Sequence, residues 1–397
     1  MKNIPSFLHE KWKLKALSLW LILFLITAFI MISGSTRTVL PAYQTAAFNW
    51  LRSLNLYDGT GVGGFVYFPQ AAILFIPFTF LPPLVGEVLW RFINIAVFVI
   101  GLHAFSRMAK GQKDERFFFF LSLICIPLVW DCARNGQATL AMTGLMLLAV
   151  HDLADSRRWR ATLWLSLAVS LKPLVIILIL LLAAIDRAMT WRILIGMSAV
   201  AILPFALQHP GYVVEQYRAC LQNTTTAAHI GVVARGWTTP FTALRVAGID
   251  IAENVQTILR ITAAFGTLWL CILARRWYDP VRSAMFLFFF SVLYIILFSP
   301  RTENNTYMML GPIIGFFLAE AFLIQKRLRE GSFLVGIAGS MLGSRVIERL
   351  VAPKAEAIWL SPFLAILLCG YVLMRFFQDK KTLQDNKNSS FMVEHQK

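Results

Sequence analysis

Charge is scarce in this sequence, and acidic charge is the scarcest. Only 15% of its 397 residues are charged, with 21 acidic against 37 basic residues, while 58% are apolar and the mean hydropathy is +0.65. A soluble globular domain typically has about 25% charged residues. The composition therefore excludes an ordinary soluble enzyme and predicts one polytopic membrane domain.

The usual signatures of metal and nucleotide chemistry are also missing. The six histidines form no H-x-x-H or H-E-x-x-H pattern, and the five cysteines lie mostly within or beside apolar stretches without metal-ligand spacing. We therefore predict no metal site and no other cofactor, and we expect the cysteines to be small buried apolar residues. The absence of a G-x-x-x-x-G-K-[ST] sequence excludes the common ATP-driven proteins.

The net charge of +16 is distributed over many short loops. A nucleic-acid-binding protein would gather such charge on one face, so we predict no nucleic-acid partner. Most Lys and Arg residues instead fall on alternate loops, which indicates that both termini and those loops are cytoplasmic. Arg91 lies inside an apolar stretch and is expected to pair with Glu87, one helical turn earlier.

About twelve apolar stretches follow one another, and each must be helical because hydrocarbon offers backbone amides no other partner. The sequence predicts an all-α polytopic membrane protein with about 12 transmembrane helices in a single domain over residues 1–377. Long outer loops are expected at about 34–64 and 208–254, and a disordered cytoplasmic tail at 378–397. No A-x-A-like cleavage site follows the first apolar stretch, so we expect an uncleaved anchor.

Two apolar regions are poorly suited to a full crossing. Phe65–Leu81 contains Pro69 and Pro77, and we predict that it dips into the outer leaflet. The two stretches within 161–185 are short and predict a thinned or re-entrant hairpin. At their junction Lys172 is a cation at membrane depth, which is a rare and usually functional position, unless the side chain extends to the outer surface.

In this topology six polar and aromatic motifs are predicted to lie on the same outer face. They are Thr38–Tyr43, Asn55–Gly59, Phe65–Pro69, Arg134–Gln137, Ser170–Pro173 and Ser299–Tyr307. Because binding and catalytic residues concentrate on loops held by a rigid scaffold, this shared face predicts a functional site.

Taken in order, these motifs resemble glycosyltransferase family 87, within the C-type superfamily of polyprenyl-phosphate-dependent membrane glycosyltransferases. The resemblance runs from about Tyr43 to Tyr307. It rests on Tyr43, Leu56-Tyr57, Tyr67-Phe-Pro69, Leu81-Pro82, Trp90, Asn135-Gly-Gln137, Leu171-Lys-Pro173, Ser299-Pro300 and Tyr307. It implies a C-type glycosyltransferase-like bundle in a bacterial-type plasma membrane. Such a protein moves a hexose, often mannose, from a polyprenyl-phosphate carrier to a lipid or glycan acceptor at the outer face.

Substrate contacts are expected from the residues that match the family motifs or neighbour them. These are Tyr43, Tyr57, Tyr67, Gln137, Asn305 and Tyr307. Cations are also needed to stabilise the departing phosphate. The candidates are Lys172, Arg37, Arg235 and Arg301.

The sequence departs from the family where the general base is expected. Family members typically have an aspartate early in the first outer loop, but Arg37–Tyr43 contains no carboxylate, and histidine often stands in place of Asn304-Asn305. Inverting transfer needs a carboxylate to accept the acceptor's proton. Glu303 and Asp58 are the candidate bases, and partial desolvation is expected to raise the pKa of Glu303 toward a useful range.

Two other classes of protein compete with an active transferase. A lipid flippase or transporter would use the same kind of fold, and it often has paired broken helices in both halves of the chain. Here only the Lys172-Pro173 break is evident. A non-catalytic relative that binds the carrier lipid is the third possibility, because the family aspartate is missing.

Overall fold

The computed structural model describes residues 6–35, 37–57, 64–109, 114–229, 237–351 and 359–394, and these form helices joined by short connections, without β-strands. In chain order the helices are α1 (Ser6–Ile32), α2 (Leu40–Leu51), α3 (Pro69–Thr79), α4 (Pro83–Ser106), α5 (Glu115–Asn135), α6 (Thr139–Ala154), α7 (Arg158–Leu171), α8 (Ile176–Ile185), α9 (Arg187–Leu207), α10 (Pro210–His229), α11 (Pro240–Val246), α12 (Glu253–Trp277), α13 (Pro280–Phe298), α14 (Gly311–Ala319), α15 (Leu328–Leu342), α16 (Ser344–Val351) and α17 (Leu360–Glu394). A 3-10 segment, Asn304–Leu310, leads into α14, and a π-helical segment, Glu320–Gln325, follows it.

Eight helical segments of the described chain are long and apolar enough to cross a membrane. They are Glu10–Ile32, Pro83–Ser106, Glu115–Asn135, Arg187–Leu207, Glu253–Trp277, Pro280–Phe298, Asn304–Gln325 and Leu360–Thr382. The prediction of an all-helical integral membrane protein is confirmed, whereas the count of about 12 spans is not. The difference lies in α6, α7, α8 and α15, which have 16, 14, 10 and 15 residues. Sixteen helical residues reach about 24 Å, short of the roughly 30 Å of hydrocarbon.

Proline residues explain where two short helices, α3 and α7, begin or end. α3 begins at Pro69 and has 11 residues, about half the length of a full crossing. α7 ends at Leu171 because Lys172, which precedes Pro173, has extended backbone angles (φ −156°, ψ 129°). A residue before proline is disfavoured in the helical region. A 3-10 turn at Pro173–Val175 then leads into α8, so the chain reverses at Lys172.

The protein core lies around α13 and the helix that follows it. Within an apolar 18-residue stretch of Pro280–Phe298 and of Asn304–Gln325, 72% and 83% of the residues are buried, whereas only 11% are buried in the corresponding stretches of Arg187–Leu207 and Glu253–Trp277. Phenylalanine fills much of this core, because Phe286, Phe288, Phe289 and Phe316 are at most 1% exposed. The helices α9 and α12 instead present apolar surface on most sides, as helices that face lipid do.

Glycine allows α4 and α6 to approach each other closely. A Cβ atom at Gly101 would lie 2.2 Å from the carbonyl oxygen of Gly144, and one at Gly144 would lie 2.5 Å from that of Val97. Small residues permit such contacts between membrane helices. The contact fixes α4 against α6, and these two helices hold several residues of the site described below.

The predicted outer loops contain helices. α2 lies within 34–64, and α10 and α11 lie within 208–254. α17 extends from Leu360 through Glu394, beyond the predicted start of the tail at residue 378, and the disorder of that tail stays a prediction. Residues 378–394 contain neither proline nor glycine, so nothing in this stretch interrupts the helix. The domain boundary at residue 377 stays a prediction.

Ion pairs join the helix ends that the charge pattern assigned to the cytoplasmic side. Arg282 at the start of α13 pairs with Glu320 at 3.1 Å and with Asp379, and Arg375 pairs with Asp379 at 2.9 Å. The sequence placed all these segments on one side, and the structure brings them together. Which side faces the cytoplasm stays a prediction.

Candidate functional site

Four of the predicted site residues meet around one cavity, although they come from distant parts of the chain. Lys172, Arg301 and Glu303 line a cavity of about 190 Å³ together with Tyr67, which we call the Lys172 cavity. Arg301 Nη2 lies 3.6 Å from Glu303 Oε1. Gln137 Nε2 donates a hydrogen bond of 3.1 Å to Glu303 Oε2. The structure therefore brings together residues of four of the six predicted motifs.

Lys172 is a buried cation held by polar neighbours. Its side chain is nearly covered, at 8% exposure, and Nζ donates a hydrogen bond of 2.9 Å to Thr139 Oγ1. Burial acts to lower the pKa of Lys172, but the nearby Tyr67 and Glu303 outweigh burial and raise it above its usual value. Lys172 therefore carries a full positive charge at neutral pH.

The predicted rise in the pKa of Glu303 is wrong. Burial does act to raise this pKa, but the charge of Lys172, the hydrogen bond from Gln137 and the charge of Arg301 together lower it below the usual value. The sequence showed Arg301 beside Glu303 but not the proximity of Lys172 and Gln137. In the structure Glu303 is therefore an ionised carboxylate over the neutral pH range.

Three of the predicted tyrosines form a group in which only Tyr67 lines the cavity. The hydroxyls of Tyr43 and Tyr67 lie 3.3 Å apart, and Tyr57 donates a hydrogen bond of 2.7 Å to the backbone oxygen of Tyr67. Tyr43 and Tyr57 are 2% and 3% exposed, and burial raises the pKa of both phenols. Both remain protonated and act as hydrogen-bonding supports for Tyr67.

A tight turn presents Gln137 to the site. α5 ends at Asn135, and the next residue, Gly136, caps the helix. Its φ of +64° is a left-handed conformation that glycine adopts without strain. Trp90 Nε1 donates a hydrogen bond of 2.7 Å to the Gly136 carbonyl, and Arg91 Nη2 donates one of 2.8 Å to the Arg134 carbonyl. Two side chains of α4 thus hold the turn that carries Gln137.

The predicted pairing of Arg91 with Glu87 is confirmed. Thr38 from the first outer loop adds a hydrogen bond of 2.9 Å to the Glu87 carboxylate. Because Arg91 is fully buried, its charge needs this carboxylate close by. Through these hydrogen bonds, Glu87 connects the start of α4 to Thr38, and Arg91 connects it to the turn at Gly136.

Sequence reasoning missed Thr139 and Trp237. Trp237 packs under Arg301, with the guanidinium carbon 4.2 Å from the ring centroid, and its backbone forms an isolated antiparallel bridge with Glu303. The negative face of the Trp237 ring attracts and stabilises the Arg301 cation. The aromatic content of the second outer loop was the available signal for Trp237. No sequence signal connected Thr139 with Lys172.

Three of the remaining predicted site residues lie within the described part of the chain, and none of the three lines the Lys172 cavity. Arg37 is exposed and is absent from its wall. Asn305 and Tyr307 line a different cavity, and Tyr307 also donates a hydrogen bond of 2.9 Å to the Thr238 carbonyl. Asp58 and Arg235 lie outside the described residues.

Comparison with known families identifies the family of the chain. The sequence model of glycosyltransferase family 87 matches residues 65–300, which is more than half of the chain. The chain belongs to glycosyltransferase family 87. The matched segment includes Tyr67, Gln137 and Lys172 and ends immediately before Arg301. No curated protein matches the sequence.

Membership of the family makes the protein a membrane glycosyltransferase, which acts on a sugar donor and an acceptor and contacts lipids.

Proposed function

We propose that the protein is a hexosyltransferase that uses a polyprenyl-phosphate-linked sugar, with mannose as the first candidate. The acceptor is a lipid or glycan at the outer face of a bacterial-type plasma membrane. One observation carries the proposal: Lys172, Arg301 and Glu303 line the same cavity. Two cations and one carboxylate are the groups that transfer from a phosphate leaving group requires.

The two cations are suited to bind the donor phosphate. Lys172 is oriented by Thr139 and Arg301 by the ring of Trp237, so both charges are positioned before substrate arrives. Charge-assisted hydrogen bonds to phosphate are stronger than neutral ones, and partial exclusion of water strengthens them further. In this arrangement the cations stabilise the negative charge that develops on the leaving phosphate.

Glu303 is suited to accept the proton of the acceptor. In the proposed step the acceptor hydroxyl gives its proton to Glu303, and its oxygen forms a bond to the anomeric carbon of the sugar. The bond from that carbon to the phosphate oxygen breaks, and its electron pair stays on the phosphate. The products are an inverted glycoside, the polyprenyl phosphate and protonated Glu303, which then loses its proton to water.

The low pKa of Glu303 is compatible with a role as general base because binding of the donor raises it. In the free protein Lys172 and Arg301 lower the pKa of Glu303. A bound phosphate adds negative charge and engages both cations, so it raises the pKa of Glu303. The carboxylate then becomes a stronger base when donor is present, which limits proton transfer to the loaded enzyme.

The direct test is transfer of labelled mannose from a polyprenyl-phosphate-mannose to a mixture of lipid acceptors by the purified protein. Glu303→Gln should lower kcat by about 10²- to 10⁴-fold, the usual contribution of a general base. Glu215→Gln is the matched control, because Glu215 is exposed on α10 and does not line the cavity.

Two outcomes would contradict the assignment. Glu303→Gln activity equal to wild type, with activity lost in Asp58→Asn, would make Asp58 the base. Movement of labelled lipid across liposomes without any sugar transfer would support a transporter.

A further inference from the structure

A cavity of about 240 Å³ lies at the end of α7 opposite to Lys172. The described residues that line it come from the start of α7 and from α9, and they are Ser156, Arg157, Arg158, Trp159, Arg160 and Arg192. We call this space the Arg192 cavity. Because the 14 residues of α7 extend about 21 Å, the Arg192 cavity is separate from the Lys172 cavity.

The wall of the Arg192 cavity is strongly basic. It contains four arginines, and no carboxylate of the described chain is among the residues that form it. Three of the arginines have carboxylate partners behind the wall: Arg157 pairs with Asp152 and Asp155, Arg160 pairs with Asp152, and Arg158 lies 3.8 Å from Asp186. Asp152 and Asp186 are buried, so they hold these arginines in place while the cavity itself presents positive charge.

Arg192 pairs with no carboxylate among the described residues. Its guanidinium carbon lies 4.2 Å from the ring centroid of Trp191 and 5.5 Å from that of Trp159, and Nη1 donates a hydrogen bond to the Ala188 carbonyl. These contacts orient the guanidinium without neutralising its charge. An oriented cation in a basic wall attracts an anionic ligand.

Tryptophan and apolar side chains beside the cavity indicate that the anion belongs to a lipid. Trp159 and Trp191 are 51% and 45% exposed, and their rings contact each other edge to face with centroids 5.2 Å apart. Tryptophan is enriched where the membrane meets water. One turn further along the two helices, Leu163, Leu194 and Ile195 are 51%, 62% and 49% exposed, so apolar surface continues from the cavity along α7 and α9.

The short length of α7 places lipid headgroups at the level of the cavity. Its length of about 21 Å is less than the roughly 30 Å of hydrocarbon. A bilayer accommodates a short segment by becoming thinner around it. The headgroups beside α7 are then drawn toward the start of this helix, where the arginines lie.

We propose that the Arg192 cavity binds the headgroup phosphate of an anionic phospholipid, whose acyl chains lie along the apolar surface of α7 and α9. The arginines favour an anionic lipid over a zwitterionic one, because the ammonium group of a zwitterionic headgroup would lie among like charges. Basic pockets between membrane helices on the cytoplasmic side bind anionic headgroups, and the charge pattern predicts that this end of α7 is cytoplasmic. This lipid is not a substrate, so the inference does not depend on the proposed function.

The test measures binding of phosphatidylglycerol and of phosphatidylcholine to the full-length protein in detergent micelles by native mass spectrometry. Wild type should bind phosphatidylglycerol more tightly than phosphatidylcholine. Arg192→Gln should weaken phosphatidylglycerol binding about tenfold, as the loss of one charge-assisted hydrogen bond does, and leave phosphatidylcholine binding unchanged. Arg329→Gln is the matched control, because it removes the same charge from an exposed residue of α15 that does not line the cavity.

Arg157→Gln provides a second variant of the cavity wall. The Arg157 side chain is 48% exposed, and Asp152 keeps Arg160 and Trp164 as partners when Arg157 is replaced. This variant should also lose about tenfold in phosphatidylglycerol binding. Gel filtration of each variant shows whether its fold is retained, and either folded variant decides the result.

Glycerol 1-phosphate distinguishes a lipid ligand from a soluble phosphate. It offers a similar phosphate without acyl chains, so at a concentration equal to that of phosphatidylglycerol it should displace little of the lipid. Complete displacement would overturn the lipid assignment in favour of a soluble phosphate.

Two further results would also overturn the proposal. Wild type that binds both lipids equally would show no preference for an anionic headgroup. A loss of phosphatidylglycerol binding in Arg329→Gln as large as in Arg192→Gln would show that overall charge, and not the Arg192 cavity, attracts the lipid. Neither readout requires sugar transfer, so failure of the proposed function leaves this test unaffected.

Discussion

Lys172 determines much of the chemistry of the site at the scale of single residues. Its position follows from Pro173, which ends α7 and turns the chain at Lys172. Its charge, the hydrogen bond from the Gln137 amide and the charge of Arg301 keep Glu303 ionised despite burial. The buried lysine and the carboxylate are therefore one electrostatic unit, and a change in either must alter the other.

We predict that Lys172→Met shifts the pH dependence of the reaction. Burial acts to raise the pKa of Glu303, and Lys172 is the strongest influence that lowers it. Without the lysine charge the pKa of Glu303 rises, so the acidic limb of kcat/KM moves to higher pH. Lys172→Arg keeps the charge and should leave the limb close to that of wild type. An acidic limb in Lys172→Met that coincides with wild type would show that the two groups are not coupled.

The sequence identified more of the site's residues than of their interactions. Lys172 was found because a lysine next to proline between apolar stretches is unusual. The direction of the Glu303 pKa was missed because it depends on Lys172 and Gln137, which lie 131 and 166 positions away along the chain. Burial and charge act in opposite directions on this pKa, and only distances in three dimensions show which is stronger.

At the scale of elements, the contact between α4 and α6 connects the core to the site. α4 carries Trp90 and Arg91, which hold the turn at Gly136, and α6 carries Thr139, which orients Lys172. The glycines at the crossing let these two helices pack closely enough to bring both groups together.

We predict that Gly144→Ala lowers the melting temperature of the purified protein. Its Cβ would lie 2.5 Å from the Val97 carbonyl, so α4 and α6 would have to separate, at a cost of about 1–3 kcal/mol. Gly266→Ala is the matched control, because a Cβ at Gly266 in α12 has no neighbour within 4 Å and alanine favours helix over glycine by about 1 kcal/mol. Equal melting temperatures for the two variants would contradict the close contact.

The elements were predictable where proline marks them and less so elsewhere. Pro69 and Pro173 indicated the short α3 and the break after α7. The lengths of α6 and α15 were not evident, because apolar residues look alike in sequence whether they face lipid or protein. The helices within the predicted outer loops were missed too.

At the scale of the whole molecule, the site and the ion pairs of Arg282 and Arg375 lie at opposite ends of α13. Arg282 lies near the start of α13, and Arg301 and Glu303 follow its end. Its 19 residues extend about 28 Å, close to the roughly 30 Å thickness of the hydrocarbon core. The basic loops predicted to be cytoplasmic lie at the Arg282 end, so the positive-inside rule predicts that the site faces outward.

The most direct test of the account joins catalysis and sidedness in one measurement. Sealed right-side-out membrane vesicles would carry labelled polyprenyl-phosphate-mannose and receive a mannoside acceptor that cannot cross the membrane. We predict that wild type labels this acceptor while the vesicles are intact, and that Glu303→Gln labels almost none of it. Label that appears only after the vesicles are opened, or appears equally with Glu303→Gln, would contradict an outward-facing site built on Glu303 and Lys172.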